Sequence, residues 1–569
     1  MSHSSSTTTT VSSALRKELP FLAEFVDAPT QPRGNDSRAT SPRWEDLFAN
    51  EAFADQFWRA LRGGCSSPAR VVLLRILRQN SGILLKCLPE AYRVLFTSAV
   101  LACVQAVEDG SGDETRLLAV KVLQGMRFDS SEGENSSSLI CLTGPVCESI
   151  VRMCMQHRNL KLKEAAVQLL LGWSGFPQVR IAFLQNVGLI DSLLEFGKST
   201  VYSKEWILKV FVTLVNSLLH KTLEESQLVP WLVECAAAGE TNRLRFLALA
   251  CLHNISLLEF TQVLADNPAV KQVLIATASS ANAPEENRAV ALSTLACLAA
   301  NRSDIQVALF HQEQLVGALV RNLSAGEKSP LLSPTLTLLL RLSYAEANEI
   351  PMFDKPMLID GLLNILRTNR DPQSRYLAIE TLNNLCCALP NNMSLFQKPG
   401  VVQTLLDCAN RGEMDALKES AVVALQNLSY CMSSRAPLFR IPGMMESLLS
   451  WIQTSKNEEL LTAALGTIYA LAIESDNQQQ LRRNHPLLSS MVLLCGEGTT
   501  EQIRHRAAGA LAKLGIDADK VTCVRAITLL CSVMDLPRLS HTKATPLLPR
   551  DLVRRLAETL YLSSHSSRG

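Results

Sequence analysis

Past about residue 240 the apolar positions of this chain fall three and four apart, in blocks separated by Gly, Pro and polar punctuation. That spacing gathers side chains on one face of a helix. A longer period runs above the helical one. Leu252, Leu295, Leu339, Leu382, Leu425, Ile468 and Leu511 stand at intervals of 43, 44, 43, 43, 43 and 43 residues. A period of this size marks a helical solenoid, because a single unit cannot bury its apolar face and stacked units bury a continuous core. Each marked residue lies in a helix rich in small side chains, as in Ala378-Ile379-Glu380-Thr381-Leu382 and Ala421-Val422-Val423-Ala424-Leu425, where alanine permits close packing against the next unit. A second apolar block follows a turn, as in Pro399-Gly400-Val401-Val402 and Pro442-Gly443-Met444-Met445. Glycine there can take the positive φ of a sharp helix-to-helix turn. Each period therefore predicts two or three short helices, and the fold class is all-α.

The two most regular units are Lys418-Glu-Ser-Ala-Val-Val-Ala-Leu-Gln-Asn-Leu-Ser429 followed by Gly443-Met-Met-Glu-Ser-Leu-Leu449, and Ser374-Arg-Tyr-Leu-Ala-Ile-Glu-Thr-Leu-Asn-Asn-Leu385 followed by Gly400-Val-Val-Gln-Thr-Leu-Leu406. They resemble armadillo repeats, with an alanine-rich third helix ending in Ala-Leu-x-Asn-Leu, a glycine, and a short helix carrying paired leucines. Val179 to Leu194, with Gly188-Leu189-Ile190, fits the same template more loosely. Degenerate units centre on Leu74, Leu123, Leu170 and Leu214, and the resemblance spans residues 65–515. It implies a right-handed α-solenoid of about 9–10 armadillo-like repeats. The expected organisation is a Ser/Thr/Pro-rich disordered segment over 1–43, an aromatic capping helix over 44–64, degenerate repeats over 65–240, regular repeats over 241–534, and a linker with a C-terminal capping helix over 535–569.

Composition sharpens this picture by exclusion. A hydrophobic fraction of 47% with only 5% aromatic residues fits a Leu/Ala-rich helical core, and a net charge of +1 gives no global pull toward nucleic acid or an anionic membrane. The sixteen cysteines form no CxxC pair and no Cys/His cluster at zinc spacing. Several, including Cys251, Cys297 and Cys431, fall on apolar helical faces and read as buried, reduced thiols, which points to the cytoplasm or nucleus. No metal or cofactor is expected, and no apolar run is long enough to span a membrane. The sequons Asn254-Ile255-Ser256 and Asn427-Leu428-Ser429 lie inside repeat helices.

Outside the regular repeats, Trp44 to Leu61 carries Trp44, Phe48, Phe53, Phe57, Trp58 and Leu61 on one face, suited to covering the exposed end of a solenoid core. Phe128 to Ser138 is too polar to pack and reads as a surface loop whose serines could accept phosphate. Asp551 caps a basic C-terminal helix over Leu552 to Leu562.

Catalytic patterns are missing: the sequence contains no GxxxxGK[ST], HExxH or GxSxG, and Gly172-Trp173-Ser174-Gly175 reads as a turn at a helix end. The expectation is a protein without enzymatic activity. In armadillo proteins the third helices line a concave groove, and an asparagine two positions after the marked leucine often binds the backbone of an extended partner segment. The resemblance carries that role to Asn216, Asn254, Asn384 and Asn427. An amide both donates and accepts, so it can hold a backbone whatever the side chain. Other units depart, with Arg341 at this position in one of them. The tryptophan that nuclear-import adaptors place four residues earlier is replaced by Val212, Ala250, Glu380 and Val423, which argues against that role. Glu380 and Arg341 join the candidate groove residues. The leading expectation is a scaffold or adaptor that binds an extended protein segment or a folded domain along this groove, with no small-molecule substrate. The alternative is a regulator of small GTPases built on the same solenoid.

Overall fold

In the computed structural model the described residues are 51–64, 69–78, 100, 112–125, 150, 159–175, 177–184, 188–217, 226–258, 262–324, 326–497 and 500–516. The Ser/Thr/Pro-rich N-terminal segment, the loop at 128–138 and the C-terminal capping helix lie outside them. Among the described residues the regular structure is helical. The chain divides into two compact units, Met1–Leu298 and Ala299–Gly569.

One helix per period carries the marked residue; we call these the ladder helices. In unit 1 they are α1 (Gly112–Gly125), α2 (Leu160–Trp173), α3 (Val201–Leu214), α4 (Asn242–Ser256) and α5 (Glu285–Leu298). In unit 2 they are α6 (Leu332–Ser343), α7 (Pro372–Leu385), α8 (Asp415–Tyr430), α9 (Glu458–Ile473) and α10 (Glu501–Lys513). Within each unit every ladder helix packs on the next. The seven marked residues are at most 1% exposed, and Leu74, Leu123, Leu170 and Leu214 are fully buried in the degenerate units. Local chemistry sets the starts of the ladder helices. Asn159, Thr241, Asp371, Asn457 and Thr500 each accept a backbone N–H of the first turn, and Thr200 and Ser203 form a reciprocal capping box. Such caps satisfy donors that the helix itself cannot.

The other helices of each period are shorter. In unit 2 one period runs Leu389–Phe396, Val401–Arg411, then α8. Gly188, Gly400 and Gly443 precede the second helix of their periods with φ of 84°, 72° and 86°. Met357 takes the same left-handed conformation, φ 65°, before the Leu358–Thr368 helix. That position lies 43 residues before Gly400.

A buried asparagine column stitches consecutive periods of unit 2. Asn391 donates to the carbonyls of Leu385 (2.7 Å) and Glu349 (3.0 Å). Asn348 donates to Leu342 (2.9 Å) and Gln306 (3.2 Å), and Asn477 to Leu471 (3.1 Å) and Arg435 (3.3 Å). Each therefore ties the end of its own ladder helix, where the last carbonyls lack intrahelical donors, to the backbone of the preceding period. Ser434 stands at the fourth equivalent position and donates to the Leu428 carbonyl.

Candidate protein-binding face

Each ladder helix is flanked by its neighbours and covered on one side by the second helix of its period: Leu358–Thr368 packs on α7, Val401–Arg411 on α8, Met444–Thr454 on α9 and His485–Glu497 on α10. One stripe of each ladder helix stays open. On α7 it holds Tyr376, Glu380 and Asn384, on α8 Glu419, Val423 and Asn427, all half-buried, and the exposed Cys387 and Tyr430 continue it. Side chains three and four apart share a helix face, so the stripe is one continuous surface on each helix.

The candidate residues predicted from sequence fall on this stripe in different states. In unit 1, Asn216 is exposed in the short turn Val215–Ser217 after α3, while Asn254 on α4 donates its amide to the Val212 carbonyl of α3 at 2.9 Å. In unit 2, Arg341 on α6 holds its guanidinium over the Tyr344 ring, 5.8 Å from the centroid. Asn384 donates to the Ser343 hydroxyl of α6 at 2.9 Å. The Asn427 side chain makes no hydrogen bond with another described residue. Glu380 accepts a long hydrogen bond, 3.4 Å, from Asn383, whose amide also donates to the Ser420 carbonyl of α8. The structure thus sets Glu380, Asn384 and Asn427 on two helices in direct contact, with Arg341 on the helix beside them.

Sequence reasoning overlooked the charges around these residues. Glu419 on α8 accepts from the Asn457 amide at 3.2 Å and faces Glu459 on α9. Partial burial, the hydrogen bond shared with Glu459, and the charges of Glu459 and Glu380 push the Glu419 carboxyl up to about 7. Tyr376 is raised by burial first, then by Glu380. Two helices on, basic groups predominate. His505 and Arg506 on α10 wall an open cleft of about 900 Å³ together with Tyr469, Gln502 and one carboxylate, Glu501. Arg506 lies back over Gly466 of α9. A Cβ added to Gly466 would stand 2.8 Å from the Arg506 Nη1 and 2.1 Å from the Gln426 Nε2. Lys513 sits over the Tyr469 ring, 5.7 Å from its centroid.

The thiols and the suspected turn are also placed. Cys251 is buried, whereas Cys297 and Cys431 are only half-buried, so two of the three thiols expected in the core reach the surface. On the Cys386-Cys387 pair, burial pushes Cys386 up to about 12 while Cys387 is exposed. Ser174 ends α2, buried and paired with the Thr213 hydroxyl at 2.6 Å, in keeping with a turn. Among the described residues no group of three or more His, Cys, Asp or Glu side chains could hold a metal ion, and no helix is long and apolar enough to cross a membrane.

No protein-family model matches the sequence, and no curated protein matches it. Solved structures do. An engineered protein from a structural genomics consortium is similar with a TM-score of 0.60 and 15% identity, covering 74% of this chain and 99% of its own. A structure from work on a conserved phosphorylation switch controlling the interaction between cadherin and beta-catenin is similar with a TM-score of 0.58 and 16% identity, covering 90% of this chain and 97% of its own. A designed armadillo repeat protein also matches, with a TM-score of 0.38, 15% identity, and coverage of 43% of this chain and 99% of its own. The fold is an armadillo-like solenoid. The short helices of each period and the left-handed turns at Gly188, Gly400 and Gly443 agree with the reading of the sequence.

Proposed function

We propose that this armadillo-like chain is a non-enzymatic scaffold or adaptor that binds protein partners as extended segments along the ladder stripes. One observation carries the reading. Asn384 and Asn427 occupy equivalent positions one period apart on packed helices, and the stripe they stand on is left open by the helices around it. A stack of equivalent units presents equivalent polar groups at a fixed interval, which suits a partner backbone that also repeats. The far side of ladder helices α7 to α10 is covered by the second helices of their periods.

The reading is tested by where partners touch. A photo-crosslinking residue placed at position 427 should capture partners from cells that make the protein, and the same group at Gln403, exposed on the Val401–Arg411 helix, should capture few. Capture at 403 and not at 427 would place binding on the wrong face and remove the proposal. Nucleotide-exchange assays on any captured GTPase distinguish a scaffold from a regulator of such switches.

A further inference from the structure

Some charges of unit 2 are paired across periods: Lys398 meets Asp360 at 2.7 Å, and Lys355 meets Glu313 at 3.3 Å. The carboxylates on the ladder stripes of α7 to α9 meet no cation among the described residues. Among the described residues Glu380 accepts one long hydrogen bond, from Asn383, and the carboxyls of Glu419 and Glu459 face each other beside the neutral Asn457 amide, with Glu380 and Tyr376 near Glu419. Arg506 and His505 have no ion-pair partner among the described residues, and the Lys513 ammonium meets only an aromatic ring. Solvated surface charges of mixed sign ordinarily cost little wherever they stand. The three carboxylates Glu380, Glu419 and Glu459 are different, because like charges held together on an open face, here between Arg341 on α6 and the basic groups of α10, raise the local potential, which protonation or an opposite charge from a partner relieves.

The glycine at 466 shapes the cationic end. Its missing Cβ leaves room for the Gln426 amide and the Arg506 guanidinium to lie across α9, so Arg506 reaches back toward the carboxylates without pairing with them. The carboxylates of α7, α8 and α9 stand one to three ladder helices from the basic groups of α10. At roughly 8–10 Å between packed helices and about 3.3 Å per extended residue, that gap is on the order of three to nine residues of a bound strand.

We propose that the ladder face of unit 2 selects an extended protein segment whose charge reverses along its length, with a Lys or Arg side chain at Glu380, Glu419 and Glu459 and an anionic side chain about three to nine residues away at Arg506 and His505. The proposal rests on the scaffold reading and adds the partner's chemistry to it. A uniformly basic segment would meet repulsion at Arg506, and a uniformly acidic one would meet it at the three carboxylates. Partner selection thus comes from the charges that do not fit as well as from those that do.

The experiment uses the full chain and labelled synthetic peptides of about 12 residues, with two lysines and two glutamates flanking a neutral spacer, in both orders, beside an all-neutral control. Binding is read by fluorescence anisotropy, and a photo-crosslinking residue at position 427 reports the place. One charge order should bind about tenfold more tightly than the other, since an extended strand has a direction. Arg506→Glu should abolish that preference, and a peptide with lysines in place of its glutamates should regain binding to the variant. Arg506→Gln, which removes the charge without adding its opposite, should give an intermediate loss. Equal binding of both orders with cross-links at 427 would overturn the charge-graded face and leave the scaffold reading standing. No cross-link at 427 with any peptide would overturn both.

Discussion

Unit 2 holds two asparagine columns in the same 43-residue register, and they have opposite fates. Asn348, Asn391 and Asn477 are 1–2% exposed and each donates to two backbone carbonyls. Asn384 and Asn427 are half-buried on the open stripe; one donates to a serine hydroxyl and the other to no described group. What separates them is the supply of orphaned acceptors. The first column stands just past the end of a ladder helix, where the last carbonyls lack intrahelical donors. The second lies in the last turn of the ladder helix itself, on the open stripe, and its amide reaches a neighbouring side chain or no described group. A periodic asparagine therefore says nothing by itself about binding; whether it stands beyond the helix end or on the open stripe decides.

The sharpest way to break this contrast is to truncate the buried column. Asn391→Ala removes the side-chain donor shared by the carbonyls of Leu385 and Glu349 and should cost about 1–3 kcal/mol, the loss of an unsatisfied buried polar group. Asn391→Ser should recover part of the loss, because Ser434 already serves at the equivalent position by reaching the Leu428 carbonyl. Urea denaturation measures both. If Asn391→Ala unfolds at the same urea concentration as the parent, the buried column is not structural and the distinction collapses.

Both columns were legible as spacing, one two residues and the other nine residues after the marked leucine. Only the first was taken for a site, because the armadillo resemblance attaches a role to it. The second carries no sequence signal of burial, since Asn391 lies in the polar stretch Pro390-Asn391-Asn392. The core positions and the glycine turns were readable because hydrophobic period and positive φ leave direct marks in sequence. The charge segregation was not, because Glu380, Glu419 and Glu459 are far apart along the chain and meet only when α7, α8 and α9 stack. Met357 was missed for a simpler reason: a methionine gives no hint of a left-handed backbone. That conformation costs an L-residue roughly 1–2 kcal/mol, so Met357→Gly should raise stability by about 1 kcal/mol after glycine's own entropy is deducted. Gly400→Met, the same exchange at the equivalent turn, should lower it by a similar amount. A destabilised Met357→Gly protein would mean that the methionine side chain, 66% exposed, contributes contacts worth more than the strain.

The open stripe tolerates what the buried column does not, and pH exposes the difference. The Glu419 carboxyl lies above its ordinary value of 4.5, at about 7. Between those values the folded protein holds a proton that the unfolded chain has released, so this group's contribution to stability is fully present below about pH 4.5 and is lost as pH rises through 7. Glu419→Gln should flatten that fall and leave the variant the more stable protein at pH 8, by a modest margin because solvent screens the site. Thermal melts across the pH range check the sign. A variant less stable than the parent at pH 8 would show that ionised Glu419 is stabilised, by Asn457 or another donor, and would remove the uncompensated negative charge from that end of the face.

The smallest expected effect on stability is the most telling for function. Asn427 is one full period from Asn384 on the next ladder helix, yet its amide has no described partner, so Asn427→Ala deletes no internal hydrogen bond and should shift stability by less than about 0.5 kcal/mol, as substitutions away from buried networks do. Asn384→Ala should cost more, because the Ser343 hydroxyl loses its donor. Binding should rank the other way. A partner backbone held at both positions loses about 0.5–1.5 kcal/mol at each truncated amide, and Asn427, free of internal competition, has the more available donor. Melting curves and peptide affinity measured on the same preparations decide the matter. Should Asn427→Ala bind as the parent does while Asn384→Ala binds less and melts earlier, both amides would be structural, and the ladder asparagines would join the buried column as stitches between periods.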